Sequence, residues 1–157
     1  MMSLVPRVNN GQLELQDQSL TLQMNLHEGL LLTATLNEQL GVAEQETQKL
    51  INSFYLTLLE SLMLLGIRER QLLLNEASLE ALACLLRRFR GKPLAKALRE
   101  NLSQRRISQV EEEALYLQSK LSATEELAQV LAPFFNHLDK QVKEGKIKLQ
   151  DPKGTYF

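Results

Sequence analysis

The chain has few of the residues that cross-link a fold, make tight turns or carry out reactions. It contains no tryptophan, one cysteine, four prolines and seven glycines in 157 residues. A single cysteine, Cys84, excludes an internal disulfide and fits a reducing compartment, so it is interpreted as a small core residue. A chain of this length buries enough surface to fold as one domain without a staple. The scarcity of glycine and proline argues against turn-rich sandwiches and barrels.

The patterns that carry catalysis and cofactor binding are also missing. The two histidines, His27 and His137, have no partner at metal-ligand spacing, and there is no cysteine pair. The sequence contains no glycine-rich phosphate loop and no nucleophile elbow. The carboxylates at 111–113 are interpreted as charges at a helix start, and His137 as the polar edge of a helix. We therefore expect no enzyme, no metal and no cofactor.

No segment resembles a membrane span or a secretory leader. The most apolar run, 51–65, is interrupted by polar residues and is shorter than the roughly 18–20 apolar residues that a span needs. The first seven residues do not show the pattern of a signal peptide. We expect a soluble, cytoplasmic protein without a membrane partner, in which 51–65 is a buried central helix.

Leucine dominates what is present, with 35 residues, and favours helix. The sequence predicts an all-α fold: a single helical bundle of about five helices that spans 1–157. Asn75 is the predicted N-cap of the third helix, and Pro93 suits the first turn of the fourth. The first four helices are predicted at 30–40, at 43–65, at 75–90 and from Pro93 to about Leu102.

The last predicted helix is long and begins with a capping box of Ser108 and Glu111. Apolar or small residues follow at alternating spacings of four and three, which places them on one buried stripe. We expect one C-terminal helix bent at Pro133, although Ser122 could begin a separate helix. The residues of the stripe are Val110, Ala114, Leu117, Leu121, Thr124, Ala128, Leu131, Phe135, Leu138 and Val142. Residues 145–157 are expected to form a loose tail.

The segment before these helices has a different period. Between Gln12 and Leu26, leucine and methionine alternate with polar residues, which predicts strands, with residues 16–19 as a turn. A short N-terminal β-hairpin within a strand-like arm, 1–27, is the favoured interpretation. Because an isolated hairpin is marginal in water, it either packs on the helices or pairs with the sheet edge of a partner. A helix is the remaining alternative.

One segment concentrates positive charge. From 87 to 106 the chain carries eight cations and one anion, a net charge of +7, whereas the remaining residues carry −8. Lys92, Lys96 and Arg99 fall on one helical arc, nearly opposite Leu94 and Leu98, so the leucines should dock while the cations face outward. The eight cations are Arg87, Arg88, Arg90, Lys92, Lys96, Arg99, Arg105 and Arg106.

This basic segment has three interpretations: a solvated helix face, a phosphate-binding surface, or a contact for an acidic protein or membrane surface. Arginine supplies six of the eight cations, and its planar guanidinium suits phosphate. The only aromatic residue in the segment, Phe89, has core spacing, so base stacking is not indicated. We therefore predict that all eight cations contact the phosphate backbone of RNA or DNA.

The cations from Arg87 to Arg106, together with the helical pattern from Ile51 to Val142, resemble the small subunits of multi-subunit CRISPR effector complexes, which serve antiviral defence. The resemblance implies a non-catalytic subunit that contacts nucleic-acid backbone through a basic helical face. Its implied protein partners are larger subunits of a complex and further copies of the chain. The alternative hypothesis is a helical adaptor or assembly chaperone that has no nucleic-acid role and binds a partner helix through its leucine stripe.

Overall fold

The computed structural model describes residues 5–9, 11–116 and 121–150. A small antiparallel sheet precedes a mostly helical remainder, which confirms the mainly helical prediction. The prediction of about five helices is wrong, because the described chain divides into more and shorter segments. The strands are β1 Val5–Asn9, β2 Gln12–Gln16 and β3 Thr21–Asn25. The helices are α1 Leu26–Gln39, α2 Glu44–Met63, α3 Ile67–Glu76, α4 Leu79–Arg88, α5 Pro93–Glu100, α6 Gln104–Tyr116, α7 Ala123–Glu126 and α8 Ala132–Lys143, with a π-turn, Leu127–Leu131, between the last two.

The sheet has the order β1-β2-β3 and extends the predicted hairpin by one strand. Leu13 on β2 lies opposite Val8 on one side and Met24 on the other, so the three side chains share one face. Leu13 packs on α1 at Gly29, where an added Cβ would lie 2.8 Å from Leu13 Cδ2. The missing side chain at Gly29 therefore lets the sheet approach the helix closely.

Helix α1 begins at Leu26, four residues before the predicted start. Asn25 closes a capping box with Glu28: the Glu28 amide donates to Asn25 Oδ1 at 2.7 Å, and the Asn25 amide donates to Glu28 Oε2 at 3.4 Å. Strand β3 therefore passes directly into α1. The alternating leucines obscured this start, because Leu26 fits both the strand period and the helix.

Helix α2 is the centre of the core, as its apolar composition predicts. Five of its large side chains are at most 1% exposed: Ile51, Tyr55, Leu58, Leu59 and Leu62. Leu82 and Leu85 of α4 and Leu127 and Leu131 of the π-turn are equally buried. Removal of these side chains from water is the main favourable term in folding.

The predicted N-cap of the third helix is wrong. Asn75 lies inside α3, where its side chain donates to the Gln71 carbonyl at 2.7 Å. Ser78 caps α4 instead, since its Oγ accepts from the Ala81 amide at 3.1 Å. Helix α3 is an additional element that the sequence analysis missed.

The predicted long C-terminal helix is divided. Its start at Ser108 is wrong: α6 begins earlier, after Ser103, whose Oγ accepts from the Arg106 amide at 3.1 Å. A separate helix begins after Ser122, which forms a capping box with Glu125. The alternative start at Ser122 is therefore confirmed. Leu117 lies outside the described residues.

The predicted buried stripe is correct over most of its described length. Val110, Leu131, Phe135 and Leu138 are buried, and the remaining described members are half-buried except for Ala128. Ala128 is exposed, and its neighbour Leu127 is buried instead. The π-turn explains the change, because its wider turn shifts the helical phase at this point.

The π-turn precedes Pro133, which cannot donate a backbone hydrogen bond. The Ala132 amide bonds to the Leu127 carbonyl, five residues back, and that carbonyl also accepts from His27 Nε2 at 3.1 Å. Tyr55 Oη donates to His27 Nδ1 at 3.1 Å. Burial lowers the pKa of His27, which favours the neutral ring in this position. One histidine therefore joins α1, α2 and the π-turn.

The described part of the predicted tail contacts the core. Leu149 is only 7% exposed, and Ile147 is half-buried against the core. Residues 151–157 of the predicted tail lie outside the described chain. Across the described ranges, no helix combines the length and apolar composition needed to cross a membrane.

A matched pair of leucines tests the packing. Leu85 is fully buried, whereas Leu72 on α3 is 60% exposed. Leu85→Ala should lower the free energy of unfolding by about 3 kcal/mol, because it removes buried contacts and leaves a cavity. Leu72→Ala should change it by less than about 0.5 kcal/mol. Urea unfolding followed by circular dichroism measures both, and equal losses would contradict this core.

Candidate nucleic-acid interface

The eight predicted cations lie on three elements that meet at one elbow. They occupy the end of α4, the link to α5, one side of α5 and the beginning of α6. Helix α4 contacts both α5 and α6. The structure therefore brings the basic segment together, but its side chains do not all point to the same surface.

Local sequence explains how α5 turns away from α4. Gly91 has φ +77°, a left-handed conformation that glycine adopts without strain, and Pro93 occupies the first turn of α5. Leu98 is 1% exposed and Ala95 8%, so this side of the helix is buried. The opposite side of α5 is consequently presented to solvent.

A polar contact fixes the far end of α5. The buried Asn101 accepts from Arg70 Nε at 2.9 Å and donates to the Ala97 carbonyl at 2.7 Å. Arg70 Nη1 also donates to the carbonyls of Met63 and Leu65. Arg70 therefore ties α5 to the end of the central helix α2, although the sequence analysis did not single it out.

Six of the eight cations are exposed, and one of them, Arg87, binds Glu126. We call the other five the cationic ridge: Arg90, Lys92, Lys96, Arg99 and Arg105. The exposed side of α5 agrees with the arc predicted from the spacing of Lys92, Lys96 and Arg99. Arg99 donates to Glu111 at 2.8 Å, but both side chains are about half exposed, so the pair contributes little to stability. Within the described residues the other four have no ion pair.

Arg87 and Arg88 bind an internal carboxylate and are left out of the ridge, although the Arg87 side chain is still 38% exposed. Both bind the carboxylate of Glu126, Arg87 through Oε2 and Arg88 through Oε1, the latter at 2.6 Å. The Arg88 side chain is 5% exposed and also donates to Gln48 at 2.7 Å and to Asn52 at 2.9 Å. These contacts therefore hold the Arg88 guanidinium in the interior.

Cys84 completes the environment of this carboxylate. Its Sγ donates to Glu126 Oε1 at 3.0 Å, and burial, together with the neighbouring carboxylate, raises the pKa of the thiol to about 12. A thiol with this pKa is a poor nucleophile. Burial would raise the pKa of Glu126, but hydrogen bonds from Arg87 and Cys84 and the charge of Arg88 hold it below its usual value. Glu126 therefore remains ionised at neutral pH.

Arg106 also has a structural contact. Its guanidinium donates to the Ala77 carbonyl in the link between α3 and α4, and the side chain is half-buried. Its Nε is buried, and no partner for it lies within the described residues. Arg106 holds the start of α6 in place, so we leave it outside the ridge.

The sequence analysis missed Glu126, Gln48 and Asn52 as partners of the basic segment. One local signal pointed inward: Arg88 follows Cys84 by four residues and therefore shares its buried side of α4. The identity of the carboxylate was not visible, since Glu126 lies 38 residues further along the chain.

Two further observations bear on the chemistry of the site. Among the described residues, no group of three or more histidine, cysteine, aspartate or glutamate side chains is placed to hold a metal ion.

Comparisons with protein-family models, with curated proteins and with solved structures found no match to this chain. Functional assignment therefore depends on the geometry and charge of the chain itself.

Glu126→Gln should lower the free energy of unfolding by about 3 kcal/mol at pH 7, because it leaves the buried Arg88 without its counter-charge. Since the pKa of Glu126 is lowered by folding, its ionised form stabilises the fold above the unfolded pKa of about 4.3. This contribution is lost as the pH falls through the folded pKa. The variant should therefore lose less stability than the parent on acidification below about pH 4.3.

Urea titrations at several pH values measure this difference. Glu60→Gln is the matched control, since Glu60 is exposed on α2 and should change stability by less than about 0.5 kcal/mol. A parallel acid profile for parent and Glu126→Gln would show that Glu126 is not ionised in the fold.

Proposed function

We propose that this protein is a non-catalytic subunit of a nucleoprotein assembly that holds the phosphate backbone of RNA or DNA on the cationic ridge. The observation that carries the proposal is the exposure of five cations on one elbow, while the apolar side of α5 is buried beneath them. The resemblance to CRISPR effector small subunits is part of the same proposal and suggests the kind of assembly.

The composition of the ridge suits phosphate. Arg90, Arg99 and Arg105 provide guanidinium groups for bidentate contacts, and Lys92 and Lys96 add mobile ammonium groups. Lys92 is the N-cap of α5 and its side chain makes no capping hydrogen bond. The positive end of the α5 dipole therefore adds to the charge of the ridge.

The same geometry argues against reading of base sequence by this segment. Phe89 is only 1% exposed and packs in the core, so its ring is not available for stacking on bases. Contacts to phosphate position a protein on nucleic acid without selecting a sequence. We therefore propose backbone contact with little sequence preference.

The titratable groups near the elbow favour a non-catalytic role. Cys84 is protonated and buried, and Glu126 is bound by two arginines and the thiol. Neither group is available to exchange protons with a substrate. The ridge itself consists of cations, which bind and orient an anion.

The adaptor hypothesis has separate structural support. Leu32, Leu36 and Leu40 on the α1 side and Leu50 on α2 are each at least 37% exposed. Exposed apolar patches mark surfaces that bind other proteins. These leucines lie on different helices from the ridge, so protein binding and phosphate binding are compatible.

Charge reversal on the ridge tests the nucleic-acid proposal. Lys96→Glu combined with Arg99→Glu should weaken binding to labelled RNA and DNA of several unrelated sequences by a similar factor, because both residues face solvent and contact backbone. If four ridge cations engage phosphate, the slope of log affinity against log salt should be about −3 to −4. Neutralising the same pair to Gln should reduce the slope by about 1.5 to 2. Fluorescence anisotropy across a salt series measures each value.

Lys140→Glu combined with Lys143→Glu is the matched control, because it makes the same change in net charge on exposed residues of α8. The control should retain nucleic-acid affinity and circular dichroism. Equal weakening by both double variants would indicate an effect of net charge alone. Unchanged affinity after reversal on the ridge would refute the proposal.

A further inference from the structure

A groove lies between the sheet and the first two helices, on a different part of the molecule from the ridge. Its volume is about 350 Å³, and apolar side chains from β2, α1 and α2 line most of it. The lining residues are Leu13, Leu26, Gly29, Leu30, Thr33, Leu50, Ser53, Phe54 and Thr57. A groove of this composition suits an apolar ligand surface.

The two helices present matching stripes along the groove. Along α1 and its C-cap residue Leu40, Gly29 and Thr33 continue to Leu36 and Leu40 at spacings of four and three. These spacings are those by which one helix packs against another along a seam. Leu36 and Leu40 are 46% and 77% exposed, so the seam continues beyond the groove without a partner from the described chain.

Helix α2 repeats this arrangement. Leu50, Ser53 and Thr57 line the groove, and Glu46 and Leu64 extend the same seven-residue spacing at either end. From 46 to 64 the stripe is about 27 Å long at the rise of an α-helix. A helix of about 18 residues would cover it. The short side chains of Ser53 and Thr57 permit close approach of its backbone.

The charge of the residues around the groove indicates which kind of partner binds there. Residues 11–66 carry seven acidic side chains and one basic, a net charge of −6. Glu46 and Glu60 are exposed on the groove side of α2, and the single cation, Lys49, pairs with Glu46. A second copy would bring an equally acidic surface against this one, which costs energy. A helix with lysine or arginine beside its apolar stripe would instead pair with the glutamates at the rim of the groove.

We infer that the groove is the docking site for an amphipathic helix of a protein partner, with an apolar stripe at spacings of three and four and with lysine or arginine beside it. This binding mode places the apolar side of one helix in the groove between others. It does not depend on the proposed nucleic-acid role, because the cationic ridge lies on α4, α5 and α6.

Two labelled 18-residue helical peptides with the same leucine spacing test the inference, one with lysine and one with glutamate at the remaining positions. The lysine peptide should bind the full chain at least ten times more tightly than the glutamate peptide. Ser53→Arg should weaken the lysine peptide at least tenfold, because the new side chain occupies the groove and repels the flanks. Ser108→Arg makes the same change on an exposed position of α6 and should leave binding unaltered.

If Ser53→Arg loses its helical circular dichroism, Leu36→Arg replaces it, since Leu36 is exposed on the α1 stripe. Comparable binding of both peptides would overturn the inference. So would a dissociation constant of the lysine peptide weaker than about 100 μM. So would full binding by a folded groove variant. Sedimentation of the chain alone tests whether a second copy occupies the groove. If the parent chain is a dimer and the groove variant is a monomer, the occupant is a second copy and the inference is wrong.

Discussion

The buried carboxylate of Glu126 determines how the basic segment is divided. It lies at the start of the last helical stretch and accepts from Cys84, Arg87 and Arg88, all on α4. A buried carboxylate without these donors would be strongly unfavourable, so α4 must lie with its inner side against α7. After Arg88, the chain turns at Gly91, where φ is +77°, and Lys92, Lys96 and Arg99 of the next segment are exposed. The interior ion pairs therefore separate Arg87 and Arg88 from the five ridge cations.

The resulting molecule separates its charges. Residues 11–66 carry a net charge of −6 and include the groove, whereas the ridge carries five exposed cations. Such an arrangement favours different partners at the two surfaces, because complementary potential attracts and like charge repels. A polyanion would be directed to the elbow of α4, α5 and α6 and away from the sheet. A basic helix would experience the reverse preference.

Local sequence predicts which side chains face outward on a single helix. It fails where a contact with a distant residue determines the direction of a side chain. The outward arc of Lys92, Lys96 and Arg99 follows from spacing alone. The inward position of Arg88 required a carboxylate 38 residues away, which no local pattern contains. The helix starts were ambiguous because several polar residues precede each one. Ser78 and Ser103, instead of Asn75 and Ser108, make the capping bonds, and only the packed fold selects between them.

The last helical stretch shows a second kind of failure. A constant period of three and four residues assumes regular α-helix, but the turn at Leu127–Leu131 is wider. Burial therefore follows spacings of four, from Leu127 to Leu131 to Phe135, and Ala128 moves to the surface. His27 contacts this turn through its Nε2, which donates to the Leu127 carbonyl beside the bond from the Ala132 amide. Sequence period alone contains no sign of that contact.

If both surfaces bind as proposed, weak phosphate contacts on the ridge are enough to hold nucleic acid. Glu111 already pairs with Arg99, so a phosphate bound on the ridge would have to displace a carboxylate at one of the five positions. Sequence-independent contacts of this kind have dissociation constants of about 10⁻⁴ to 10⁻⁶ M. A helix docked in the groove would tether the chain to an assembly, where effective concentrations reach about 1 mM. At that concentration even a dissociation constant of 10⁻⁴ M gives about nine-tenths occupancy. Stronger ridge contacts are therefore unnecessary for a subunit held in place by its protein partner.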